Sequence, residues 1–213
     1  MKFSGNLSKW KKKAIGWNGV AHRWDSDIEN PGHYVNFEDG YKKFDRFASG
    51  IISKMGKVDS GIDIGCGTGK ASAVLAKHVK NLMLLDISYK MLEIAKKKYP
   101  KARILYASVT DMHIESECVD IAISRGILIS LLARKAKINQ MLNEINRVLK
   151  PGGAILFDFL SNTKTAKFKA QESYKKAFTK REITCLLKEK KFNRINFDGK
   201  VGSRVIRVCA RKE

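Results

Sequence analysis

Disulfide and zinc chemistry have almost no material to work with in this chain. The four cysteines, Cys66, Cys118, Cys185 and Cys209, lie far apart with no CxxC pair, so neither a disulfide framework nor a metal-ligand spacing can be read from them, and no metal is expected. No apolar run approaches the roughly 20 residues that span a bilayer, and the first 25 residues lack the unbroken apolar core of a secretory signal. The expectation is a cytoplasmic protein with reduced thiols. No internal repeat or low-complexity linker divides the sequence, so its 213 residues, 44% of them hydrophobic, are expected to form one domain, 1–213. Acidic residues are scarce as well. There are 21 of them against 42 Lys and Arg, a formal charge of +21, which attracts polyanions. The cations nevertheless spread along the whole chain, and runs such as Lys96 to Lys98 fit a solvated helix face.

What is there, from about residue 58 onward, is an alternation of short apolar runs with amphipathic stretches, as when strands feed helices around a parallel sheet. Strands are predicted at Ser60 to Ile64, Leu82 to Asp86, Ala102 to Tyr106, Cys118 to Ser124 and Ala154 to Phe159. Between Arg134 and Leu149, Ile138, Met141, Leu142, Ile145, Val148 and Leu149 form one helical stripe, and Pro151, Gly152 and Gly153 are expected to stop it and turn the chain into the next strand. Thr179 with Glu182 has the form of a capping box that starts a last helix. Two further runs, Phe192 to Phe197 and Val205 to Ala210, are joined by a short Gly-containing connection that favours an antiparallel hairpin. The fold class is therefore α/β, a three-layer, Rossmann-like sandwich whose seven-stranded, mostly parallel sheet ends in that hairpin. Residues 1–50, with Trp10, Trp17 and Trp24, are read as a helical cap over a core formed by 51–213, with a helix near Tyr41 to Met55.

The strongest local signal is Asp63-Ile64-Gly65-Cys66-Gly67-Thr68-Gly69, between the first strand and a helix carrying Ala71, Val74, Leu75 and His78. Glycines there let the backbone turn tightly and approach a ligand with no Cβ in the way. A dinucleotide loop of the GxGxxG form would need glycine at position 70, which is Lys70. The second strand ends at Asp86, 21 residues after Gly65, where a carboxylate can accept hydrogen bonds from both hydroxyls of a ribose.

A GxGxG loop preceded two residues earlier by an acid resembles motif I of class I S-adenosylmethionine-dependent methyltransferases. Over roughly residues 17 to 211 the chain is similar to the branch of that family that includes the ubiquinone and menaquinone biosynthesis enzymes. Val20-Ala21-His22-Arg23-Trp24-Asp25 resembles the family's early "VAxxYD" segment, with Trp24 in place of tyrosine. Asp86-Ile87-Ser88 with Met91 resembles the segment that packs near adenine, Val119-Asp120 through Ser124 resembles motif IV, and Val148 to Gly153 resembles the turn before the fifth strand. One departure stands out. Where the family commonly has Gly-Asp-Ala after the third strand, this chain has Ala107-Ser108-Val109, so an adenine contact is expected from the Val109 backbone with Ser108 nearby, and Asp111 as a weaker candidate.

The resemblance implies S-adenosylmethionine as cofactor and S-adenosylhomocysteine as product, with Asp63, Gly65, Cys66, Gly67, Gly69, Asp86, Ile87, Met91, Ser108, Val109 and Ser124 around it. The sulfonium methyl is already activated, so the protein mainly supplies position and no dedicated nucleophile is needed. Where the acceptor must lose a proton, the candidates to take it are His22, His33, Tyr34 and Arg125. A small or medium-sized acceptor is expected. A nucleic-acid acceptor is the alternative, favoured by the charge and by the basic stretch 161–191, but Ser124-Arg125-Gly126 lacks the Asn/Asp-Pro-Pro-Tyr form that grips an exocyclic amine. A third reading is a cofactor-binding protein without catalysis.

Overall fold

The computed structural model describes residues 15–29, 37–126, 135–161, 177–200 and 203–213. Seven strands form one sheet: β1 (Ser60–Ile64), β2 (Asn81–Asp86), β3 (Arg103–Tyr106), β4 (Val119–Ser124), β5 (Leu149–Leu160), β6 (Phe192–Asp198) and β7 (Val205–Lys212). Their order is β3-β2-β1-β4-β5-β7-β6. β1 to β5 pair in parallel, while β7 runs antiparallel to both β5 and β6. The expected mostly parallel sheet with a closing antiparallel hairpin is what the chain forms. All carboxyl ends of the parallel strands reach one edge, and the order reverses between β1 and β4, which opens a crevice there.

Helices cover both faces. On one side α2 (Phe37–Ile52), α3 (Ser72–Ala76) and α4 (Tyr89–Lys98) bury Phe44, Ala48, Val74, Leu75, Leu92 and Ala95 against Leu84, Ile121, Ile123 and Leu156. On the other, α5 (Lys135–Val148) and α6 (Lys180–Lys188) bury Ile138, Met141, Ile145, Ile183 and Leu187 against Ile62, Ala122, Ile155 and Phe157. The strand alternation explains this division, because Ile155 and Phe157 point one way while Leu156 and Asp158 point the other. The α6 capping box is formed: Thr179 Oγ1 accepts from the Glu182 N–H and Glu182 Oε2 accepts from the Thr179 N–H. Ahead of the sheet, residues 15–20 are helical and lead through a turn at Ala21–Arg23 into α1 (Trp24–Glu29).

Two expectations need correction. The strand after α5 begins at Leu149, which pairs with Val119, and not at Ala154 beyond the Pro-Gly-Gly turn; residues 150–153 instead bulge out before the ladder resumes at Ile121 and Ala154. The ion pair of Lys150 Nζ with Asp120 Oδ1 at 2.8 Å holds this bulge against β4. The helix near Tyr41 to Met55 starts four residues earlier, at Phe37, and packs on the sheet as one of its covering helices. Trp10, the basic segment 162–176 and the turn residues Asn30, Pro31 and Gly32 lie outside the described residues. No helix among those described is long and apolar enough to cross a membrane, and no group of three His, Cys, Asp or Glu among them could hold a metal ion.

Candidate functional site

β1 ends at Ile64, and the next two N–H groups, of Gly65 and Cys66, both donate to the Leu85 carbonyl at 2.7 and 3.0 Å. This folds the glycine-rich loop over the end of β2. Gly65, Gly67 and Gly69 have φ of 71°, 54° and 82°, a region in which a side chain is strained. Their surroundings differ. A Cβ on Gly69 would stand 2.8 Å from Tyr99 Cε2, so that glycine is needed for packing, and the Tyr99 hydroxyl donates to its carbonyl at 3.0 Å. A Cβ on Gly67 would meet only Trp24 Nε1, at 3.9 Å. A single Cβ would thus already reach ordinary van der Waals distance of the indole, so Trp24 is the group that covers the loop at Gly67.

Asp86 is bound to the same loop and is buried beside it. Its Oδ2 accepts from the Gly67 N–H at 2.9 Å and its Oδ1 from the Ser88 N–H at 2.8 Å. Burial pushes its pKa up, against the pull of these backbone donors. A carboxylate oxygen accepts more than one hydrogen bond, so each Oδ keeps capacity for a further donor, and a pair of vicinal hydroxyls supplies two. Asp63 lies beneath the loop, 1% exposed, and burial pushes it up to about 7 although Ser72 Oγ donates to it at 2.6 Å. The Cys66 thiol is also pushed up by burial, which leaves a neutral packing group and no nucleophile.

The N-terminal segment fastens onto both ligand-facing elements. Asp25 accepts from Thr68 Oγ1 at 2.6 Å and pairs with Lys98; Glu29 pairs with Lys70 at 3.1 Å. Asn18 Oδ1 accepts from Ser88 Oγ at 2.7 Å and from the Lys90 N–H at 3.3 Å. Trp17 packs edge-on against Trp24 with ring centroids 5.3 Å apart.

The other sequence candidates fall into place around this centre. Ile87 is half-buried between Asp86 and Ser88, and Met91 is buried in the first turn of α4, where its N–H donates to the Ser88 cap at 3.2 Å. Ser108 and Val109 follow β3 beside Asp86, whose carbonyl accepts the Ala107 N–H at 3.2 Å. The Ser108 hydroxyl is engaged locally with Thr110 Oγ1 at 2.8 Å, and Asp111 faces His113 in the solvent. Ser124 lies below the loop and donates to the Ile64 carbonyl at 3.1 Å. Of the four proton-transfer candidates, Arg125 is turned onto the Tyr41 ring at 4.3 Å and toward Asp158 at 3.7 Å, its side chain 9% exposed. Burial raises Tyr41 to about 12 despite that guanidinium. His22 is exposed on the turn that lies against α4, and His33 and Tyr34 are outside the described residues. Sequence reasoning missed Asn18, Glu29 and Tyr99; Trp24 and Asp25 were visible within the "VAxxYD"-like segment, but not as partners of the loop.

The family profile described as a methyltransferase domain matches residues 62–157, which hold the glycine loop, the Asp86 strand tip, β3, β4 and most of β5. Over that stretch, a little under half of its length, the chain is similar to a methyltransferase domain. Among curated relatives, the malonyl-[acyl-carrier protein] O-methyltransferase of Pectobacterium atrosepticum is 30% identical over 102 residues, covering 47% of this chain and 38% of that protein. The ubiquinone/menaquinone biosynthesis C-methyltransferase of Campylobacter jejuni is 33% identical over 102 residues, covering 44% and 41%. The chain thus spans about two fifths of the length of these relatives. Solved structures extend the likeness in fold. Magnesium protoporphyrin IX methyltransferase from Synechocystis superposes with a TM-score of 0.72 at 15% identity, over 94% of this chain and 100% of that one. The 1,6-didemethyltoxoflavin-N1-methyltransferase of Burkholderia thailandensis does so with a TM-score of 0.70 at 16% identity, over 100% and 92%.

Proposed function

We propose that the chain is an S-adenosylmethionine-dependent methyltransferase that acts on a small or medium-sized acceptor and releases S-adenosylhomocysteine. The observation that carries the reading is the 2.9 Å hydrogen bond from the Gly67 N–H to the Asp86 carboxylate, which sets the glycine-rich loop and the acid at the end of β2 side by side. In this reading Asp86 accepts from the ribose hydroxyls, and the backbone of Gly65, Cys66, Gly67 and Gly69 lies along the methionine portion, with Asp63 fixing the loop from below. Ile87, Met91, Ser108 and Val109 border the adenine, and Ser124 supports the loop from β4. The donor contributes an activated sulfonium methyl; the protein's part is to align it, to exclude water and to hold the acceptor in line. Residues 1–50 form the cap of a single domain, 1–213, and Trp24 covers the loop at Gly67.

The Burkholderia thailandensis enzyme of the same fold was crystallised with the small molecule 1,6-didemethyltoxoflavin and S-adenosylhomocysteine, which supports an acceptor of that class. Titration calorimetry with S-adenosylmethionine and S-adenosylhomocysteine tests the cofactor: both should bind, and Asp86→Ala should weaken both at least tenfold. Unchanged affinity in that variant would remove the basis of the assignment. Tritium from labelled donor should then enter a small-metabolite fraction in preference to RNA.

A further inference from the structure

At the amino ends of the parallel strands, the edge opposite the glycine loop, there is a hollow of about 500 Å³. Its walls include Lys54, Asn193, Arg194, Arg211, Lys212 and Glu213. Lys54 follows the end of α2, Arg211 lies near the end of β7, and Arg194 stands in a bulge of β6, where register slips by one residue between Asn193 and Asn196. Arg194 has φ of 44°, an uncommon conformation for a residue with a side chain, and neither the hydrophobic core nor an ion pair accounts for it. Lys212 is committed to Glu117 at 3.0 Å and to the Leu149 carbonyl at 2.8 Å. Arg211 spends one NH on the Gly152 carbonyl at 3.2 Å, which fixes the plane of its guanidinium and leaves further donors. Lys54 and Arg194 pair with no carboxylate among the described residues.

Three cations therefore face one hollow with Glu213 as the acid in its wall, and two of them carry the planar fork that matches a phosphate. The surroundings select the kind of phosphate. Of the lining, Met55 alone is a large apolar side chain, so nothing holds a base or a sugar. The exposed large hydrophobic residues among those described, Ile15, Tyr89 and Tyr106, lie elsewhere, so no apolar anchor for a bilayer is present at this edge. Lys191, three residues before Arg194, is exposed as well, while the exposed Lys57 and Lys80 share the carboxylate of Asp59. We propose that this edge docks the phosphodiester backbone of a nucleic acid, away from the methyl-transfer site and independently of which acceptor is used there. A chain of formal charge +21 gains such affinity mainly by counterion release, which has a measurable slope.

Fluorescence anisotropy of the full chain with a labelled single-stranded RNA of about 20 nucleotides, across a salt series, is the test. The variant carrying Lys54→Glu, Arg194→Glu and Arg211→Glu should bind at least tenfold more weakly at moderate salt. Its log-log salt slope should fall by about 2, the share of three phosphate contacts on a single strand. A control with the same charge change at Arg46, Lys97 and Lys200 should lose less than threefold. Both should keep wild-type heats with S-adenosylmethionine, which separates this surface from the cofactor site; Arg194→Ala alone, the mildest change, should lower the slope by just under 1. The proposal is overturned if wild type does not bind RNA at low salt, if the control loses as much as the triple variant, or if anionic phospholipid vesicles are retained in place of RNA.

Discussion

Asp63 is displaced far from its ordinary chemistry, because the loop above it and the sheet around it shut out water. Its unfolded value of 3.8 rises to about 7 in the folded chain. Between those values the folded state holds a proton that the unfolded chain has released, so stability falls as pH rises through the window, by roughly 4 kcal/mol. Asp63→Asn, which cannot ionise, should gain on wild type steadily between pH 5 and pH 8, by several degrees of melting temperature over that range. Parallel melting curves at both pH values would contradict the buried-proton account. The glycines separate at the same scale: Gly67→Leu should abolish cofactor heat while the chain still folds, whereas Gly69→Ala should lower the melting temperature first, since its Cβ meets Tyr99. The loop glycines and Asp86 were legible because backbone approach and strand-tip chemistry leave their spacing in the sequence. The position of Arg125 was not, because its partners Tyr41 and Asp158 lie 84 residues before it and 33 after it in the sequence and meet it only on folding, and no local pattern announces that meeting.

At the scale of elements, hydrophobic period and caps carried most of the information. β1 was read to the residue and the other strands to within one or two at nearly every end, because each is bounded by a polar or glycine residue. The start of β5 was missed since Pro151-Gly152-Gly153 looks like a stop, yet Leu149 had already joined the ladder. Gly153 is essential to that bulge: a Cβ would stand 2.8 Å from the Lys150 carbonyl and 3.1 Å from that of Asp120. Gly153→Ala should therefore destabilise the chain by about 2 kcal/mol in chemical denaturation, in the range of overpacked cores. Thr179→Ala, which removes the α6 cap, should cost about 1 kcal/mol and leave cofactor affinity unchanged.

Across the whole molecule, the N-terminal segment is joined to the end of α4 and to the end of the glycine loop by partly exposed pairs, Asp25 with Lys98 and Glu29 with Lys70. Such pairs are individually weak and yield to salt. A cofactor held between loop and cap should slow tryptic cleavage after Arg23 several-fold, and 0.5 M salt, on the order of a Debye length of 4 Å, should restore the rate. Asp25→Ala should cut quickly with or without cofactor. Neither lateral rim of the sheet offers a clean ladder to a second chain: β3 is four residues long with Arg103 on it, and β6 is kinked by its bulge and bears Asn193, Arg194, Asn196 and Asp198. Strand-to-strand stacking between copies is thereby discouraged.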